Sequence, residues 1–157
     1  MTKLTQKFQP FAPKEGGALD FFAVIDTNVI LSALLSKKSD TSTVKVIKAV
    51  MDGKIIPLLH DDILAEYEDV LYRDKFHLNP ATIHVVLQAF KIYGMKVTPK
   101  KSDENFSDPD DLIFYEVALA KRNDDAYLVT GNQRHYPVRD FIVTPAQMIS
   151  ILENIEH

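Results

Sequence analysis

The sequence predicts an α/β fold in which a central, mainly parallel sheet of about five strands lies between two layers of helices. Three observations carry this expectation. Short apolar runs without polar alternation, such as Phe21 to Ile25 and Ile55 to Leu59, have the profile of strands buried on both faces. Segments of helical periodicity separate the runs, so the connections are crossovers, which are right-handed between parallel strands and lay helices against the sheet. Polar residues gather where the runs end, above all at Asp26-Thr27-Asn28 after the first, and the carboxyl ends of strands are where open α/β sheets bind ligands.

Residues 1–20 carry Pro10, Pro13, Gly16 and Gly17 with little periodicity and are expected to form a poorly ordered N-terminal arm, leaving 21–157 as one folded domain. After the first strand, Asn28 to about Leu35 reads as a short apolar helix. Ser36 to Asp40 is a polar break before a second helix near Thr41 to Met51, which Asp52-Gly53 ends. Ile55 to Leu59 is the next buried strand, and His60-Asp61-Asp62 opens a helix through about Tyr72. A further helix from Pro80 to Tyr93 stops at Gly94 and leads to a short strand at Met95 to Thr98. The polar stretch from Pro99 to Ser107 is the longest loop. Asp108-Pro109-Asp110-Asp111 then opens a helix to about Arg122, with Pro at its first position. Tyr127 to Thr130 is a buried strand, Gly131 to His135 the loop at its carboxyl end, and Phe141 to Val143 the last strand. In Thr144-Pro145-Ala146-Gln147 a capping residue, Pro at the first helical position and Gln at the third signal a final helix to about Asn154.

At 157 residues and 46% hydrophobic, the chain suffices for one domain with a proper core. It has no cysteine, so any metal would be held by oxygen or imidazole, which favours hard cations such as Mg²⁺ or Mn²⁺. No apolar run is long enough for a membrane span and nothing resembles a signal peptide, so a cytoplasmic location without membrane contact is expected. A formal charge of −4 argues against nucleic-acid binding through bulk charge, yet leaves room for a local basic rim around an acidic cleft.

Asp26 could simply cap the helix after it, so its meaning depends on other carboxylates. On the helix after Leu59, the stripe Ile63, Leu64, Tyr67, Val70 and Leu71 places Glu66 on one shoulder and Glu68 on the other; a helical wheel cannot choose between them, and either could be a solvated charge. On the helix after Pro109, nearly every position from Leu112 to Ala120 except Glu116 is apolar, and Asp111 lies in line with Tyr115 and Ala118. Asp108 as N-cap explains part of the cluster, but Asp108, Asp110 and Asp111 bring more charge than a helix dipole requires. Apposed carboxylates repel and raise one another's pKa, so several at one strand-end cleft suggest a divalent cation and phosphoryl chemistry.

Together the motifs resemble the PIN-domain nucleases. The likeness rests on Val24-Ile25-Asp26-Thr27-Asn28-Val29, Ile63-Leu64-Ala65-Glu66-Tyr67, Asp108-Pro109-Asp110-Asp111 before the helix ending Ala118-Leu119-Ala120, Leu128-Val129-Thr130-Gly131-Asn132, and Val143-Thr144-Pro145. It spans about Phe21 to Leu152 and is nearest to PIN-domain proteins described as toxins of bacterial or archaeal toxin–antitoxin pairs. The resemblance implies a three-layer α/β/α PIN-like fold and a metal-dependent endoribonuclease that uses Mg²⁺ or Mn²⁺ on RNA, with a cognate antitoxin and a homodimer as possible partners. It chooses Glu66 over Glu68 and implies Asp26, Glu66 and Asp111 as catalytic, metal-binding acids, with Asn28 orienting Asp26 and Thr130 supporting the cleft. The family's fourth acidic position, commonly Asp, is Asn132 here, which implies weaker occupancy of a second metal; Asp108 is a candidate to compensate. Arg134, with His135 beside it, and Lys37-Lys38 are the basic candidates for holding an RNA backbone. Two other classes of function stay open: a catalytically weak PIN-like domain acting as an RNA-binding or protein-interaction module, and a flavodoxin-like receiver domain, which lacks its expected late Lys in Gly131-Asn132-Gln133.

Overall fold

The strand expected at the first apolar run is β1, Phe21–Ile25, and it forms the middle of the sheet. The computed structural model describes residues 20–106 and 108–156. Apart from Asp20, the expected N-terminal arm lies outside the described residues. The chain continues through α1 (Thr27–Leu35), α2 (Ser42–Met51), β2 (Ile55–Leu59), α3 (Asp61–Leu71), α4 (Pro80–Tyr93), β3 (Met95–Lys96), α5 (Pro109–Ala120), β4 (Tyr127–Val129), β5 (Ile142–Val143) and α6 (Pro145–Glu156). Short 3-10 turns at Asp74–Phe76, Arg122–Asp124 and Gln133–His135 had no signal in the sequence pattern.

The five strands run in the order β3-β2-β1-β4-β5 and every pairing is parallel. Successive strands first step outward from β1 to β2 to β3, then return to its other side as β4 and β5. The order therefore reverses between β1 and β4, and the crevice at their carboxyl ends is the topological switch point where such sheets bind ligands. This order also differs from the 2-1-3-4-5 of flavodoxin-like sheets, which removes the receiver-domain alternative.

Helices cover both faces of the sheet in a three-layer α/β/α PIN-like arrangement. Helix α5 packs across β1, β2 and β4, while α2 packs against α1, α4 and α6. Ala23, Val24 and Ile25 are fully buried, as a central strand between two helical layers requires. Caps follow the sequence signals: Thr41 accepts from the Val44 N–H, Asn79 from Ala81 and Asp108 from Asp110. At α6, the Thr144 hydroxyl accepts from the Gln147 N–H while the Gln147 side chain accepts from the Thr144 N–H, a complete capping box.

Candidate functional site

β1 ends by delivering Asp26 into the switch-point crevice, and its neighbours treat it as more than a cap. The Asp26 side chain makes no capping hydrogen bond to α1. Its Oδ2 instead accepts from the Thr130 hydroxyl at 2.7 Å and from the Tyr136 hydroxyl at 3.0 Å, both more than 100 residues away in sequence. Asp26 is only 6% exposed, and burial pushes its carboxyl above the ordinary range against the opposing pull of Thr130 and Tyr136. Thr130 follows β4, is fully buried, and also accepts from the Asn132 N–H at 3.0 Å. Its hydroxyl thus links the first strand's acid to the loop after the fourth strand.

Thr27 and Asn28, on the first turn of α1, extend the same junction. The Thr27 hydroxyl donates to Glu66 Oε2 at 2.8 Å, holding the α3 acid toward the end of β1. The Asn28 side-chain oxygen accepts from the Gly131 N–H at 3.0 Å, so that side chain pins the β4 loop, and the contact of Asn28 with the Asp26 carboxylate is through its backbone. Glu68, on the opposite shoulder of α3, is exposed and pairs with Lys91 of α4 at 3.6 Å. Burial raises the pKa of Glu66 first, the Thr27 bond opposes this, and Asp110 and Asp26 raise it further. Next to Glu66, fully buried Tyr67 donates to the Ile25 carbonyl at 2.5 Å, which fastens α3 to the last residue of β1.

Asp111 completes the group from the first turn of α5. Burial, reinforced by Asp26 and Asp108, pushes its carboxyl up to about 6, with His135 opposing and Glu66 adding to the rise. Its Oδ2 is buried and has no hydrogen-bond partner. The His135 Nδ1 lies 3.5 Å away, an electrostatic contact that is not directed as a hydrogen bond. Asp108 is exposed and engaged as the α5 cap, and Asp110 is also exposed. Asn132, Arg134 and His135 are exposed on the β4 loop, and Lys37 and Lys38 are exposed after α1.

The three acids on β1, α3 and α5 thus lie within one another's electrostatic reach, although among the described residues no group of three or more Asp, Glu or His side chains is already assembled tightly enough to hold a metal ion. Tyr136 is the functional candidate that the sequence did not flag. A single aromatic after a polar loop has no periodicity, and only the folded chain returns it to Asp26. Its ring is buried edge-on to Phe106, with centroids 5.7 Å apart, and burial together with Asp26 drives its hydroxyl pKa upward, so it remains a proton donor.

A family model described as PIN domain matches residues 23–134, from β1 through the β4 loop, and so includes Asp26, Glu66, Asp111 and Asn132. No curated protein and no solved structure matches the chain. Among the described residues no helix is long and apolar enough to cross a membrane.

Proposed function

Since the chain belongs to the PIN-domain family, whose members are generally nucleases that use divalent metal ions, we propose that it is a metal-dependent endoribonuclease acting on RNA. The observation that supports this best is Asp111 Oδ2, a buried carboxylate oxygen that accepts no hydrogen bond, in the field of Asp26, Asp108 and Glu66 and with the His135 imidazole 3.5 Å away as a partial counterweight. An oxygen left in that condition costs free energy, and a cation among these acids would relieve it. The donor set is oxygen throughout, which suits Mg²⁺ or Mn²⁺.

Asp26, Glu66 and Asp111 would hold the ion, with Asp108 and Asn132 as further oxygen donors. When bound, it would supply Lewis acidity at the scissile phosphate and lower the pKa of the attacking water. The protein's own work is positioning. Thr130 and Tyr136 fix Asp26, Thr27 fixes Glu66, and Asn28 holds the loop whose exposed Arg134 would contact an RNA phosphate. No side-chain nucleophile is required. A place as the toxin of a prokaryotic toxin–antitoxin pair, a cognate antitoxin, a homodimer and a cytoplasmic location belong to the same proposal and are supported by the motif resemblance alone.

A second reading, an RNA-binding or protein-interaction module with weak catalysis, draws support from the neutral Asn132 and from acids that are not preassembled among the described residues. An RNA cleavage assay with and without Mn²⁺, comparing the parent with Asp26→Asn, separates the two. The nuclease should cut only with metal and lose about 100-fold or more in the variant, because loss of a metal ligand costs at least as much as loss of its supporting shell. Equal cleavage by both proteins would sink the enzyme proposal, and metal-independent RNA binding without cleavage would favour the module.

A further inference from the structure

The Asp26 carboxylate is used unevenly by its surroundings. Thr130 donates to Oδ2 at 2.7 Å and Tyr136 donates to the same atom at 3.0 Å. Each carboxylate oxygen has about two lone-pair sites, so the two hydroxyl donors occupy Oδ2, while the backbone of Asn28 and Thr27 acts on the same carboxylate from the first turn of α1. Neither donor is free to turn away. Thr130 is fully buried and simultaneously accepts from the Asn132 N–H. The Tyr136 ring is 6% exposed, lies edge-on to Phe106, and Phe106 in turn packs on Tyr115, with centroids 5.3 Å apart. Tyr115 belongs to the same helix as Asp111. The aromatic cluster therefore ties the orientation of Asp26 to the helix that carries the third acid.

We propose that Tyr136 is a positioning residue which, with Thr130, holds Asp26 Oδ2 and so fixes the angle at which the Asp26 carboxylate faces Glu66 and Asp111 across the cleft. This rests on the metal-dependent nuclease reading and adds to it the residue that orients the first acid toward a cation.

Calorimetric titration of the full chain with Mn²⁺ tests this without any activity measurement. The parent should bind Mn²⁺. Tyr136→Phe keeps the ring against Phe106 and removes only the hydroxyl; it should leave the melting temperature in chelator within a few degrees of the parent while weakening Mn²⁺ binding about tenfold, the lower end of what a lost supporting contact costs a metal site. Thr130→Val removes the other donor to the same oxygen and should weaken binding similarly, and Thr130→Ser should restore it; these two keep the test decisive if the Tyr136 variant fails to fold. A purely structural Tyr136 would lower the melting temperature and leave Mn²⁺ affinity per folded molecule unchanged, which would overturn the proposal. Mn²⁺ binding by the parent with the same affinity in Tyr136→Phe and Thr130→Val would overturn it as well, with the nuclease reading intact. No Mn²⁺ binding by the parent would overturn both together.

Discussion

Asp111 is the acid whose electrostatic position has the clearest thermodynamic consequence. Its carboxyl rises from 3.8 to about 6, chiefly through burial and then through Asp26 and Asp108. The folded chain therefore holds this proton more tightly than the unfolded chain does. Between about pH 4 and 6 the native state binds more protons, so this residue's contribution to metal-free stability is present at low pH and is lost as pH rises through that window. Asp111→Asn removes the penalty, and the α5 cap survives because Asp108 supplies it. In chelator, the melting temperature of Asp111→Asn relative to the parent should climb from about pH 4 to pH 6.5 and then level off, as thermal melts across that range would record. A variant less stable than the parent by more than about 1 kcal/mol at pH 6.5 would instead mark Asp111 as part of the helix N-terminal cap. The acids themselves were legible from residue type and place, whereas their supports were not. Helical periodicity left Glu66 and Glu68 equivalent, and what separates them is a hydroxyl on another element, Thr27 for one, and Lys91 for the other.

Secondary-structure elements follow the sequence closely where the signal is local. Capping residues, Pro at the first helical turn and buried apolar runs set the positions of the major helices and of β1 and β2, while β3, β4 and β5 come out one or two residues shorter than expected because sheet pairing, a non-local property, decides where a strand ends. Gly94 shows a position legible for the wrong reason. It reads as a helix stop, for which glycine's left-handed conformation is the usual explanation. Its φ is −85°, however, so no conformational freedom is in use. What matters is space. A Cβ there would collide with the Phe90 carbonyl oxygen and lie 2.7 Å from Leu59 Cδ1 and 2.8 Å from the Pro57 carbonyl oxygen, at the place where the end of α4 lies against β2. Gly94→Ala should cost about 1–3 kcal/mol, the usual range for overpacking, and Gly94→Asn should cost at least as much even though Asn tolerates the left-handed region. Urea denaturation measures both. Rescue by Asn relative to Ala would point to a left-handed cap and away from the packing explanation.

At the scale of the whole molecule, strand order turns four distant segments into one site. Asp26 comes from the end of β1, Glu66 from α3, Asp111 from α5, and Thr130, Asn132 and Tyr136 from the chain after β4, the neighbour that β1 acquires only when the order reverses. Metal binding should therefore report on the integrity of the whole sheet, because the unfolded chain holds these acids too far apart to act together. Asn132 is where that coupling can be changed. Its N–H already braces Thr130, a contact that any residue's backbone can make, so Asn132→Asp alters the side chain and leaves the brace in place. The added carboxylate increases repulsion among Asp26, Asp111 and the new Asp in metal-free protein and supplies a stronger oxygen donor once a cation is present. The variant should melt lower than the parent in chelator and gain more from saturating Mg²⁺, since a ligand bound only by the native state stabilises according to its concentration relative to its dissociation constant. Half-maximal RNA cleavage should need less Mg²⁺, while the rate at saturating metal need not rise, because the amide donor available to a phosphate is lost. If both the Mg²⁺-induced melting shift and the metal dependence of cleavage match the parent, Asn132 lies outside the coordination sphere and the fourth oxygen comes from Asp108 or water.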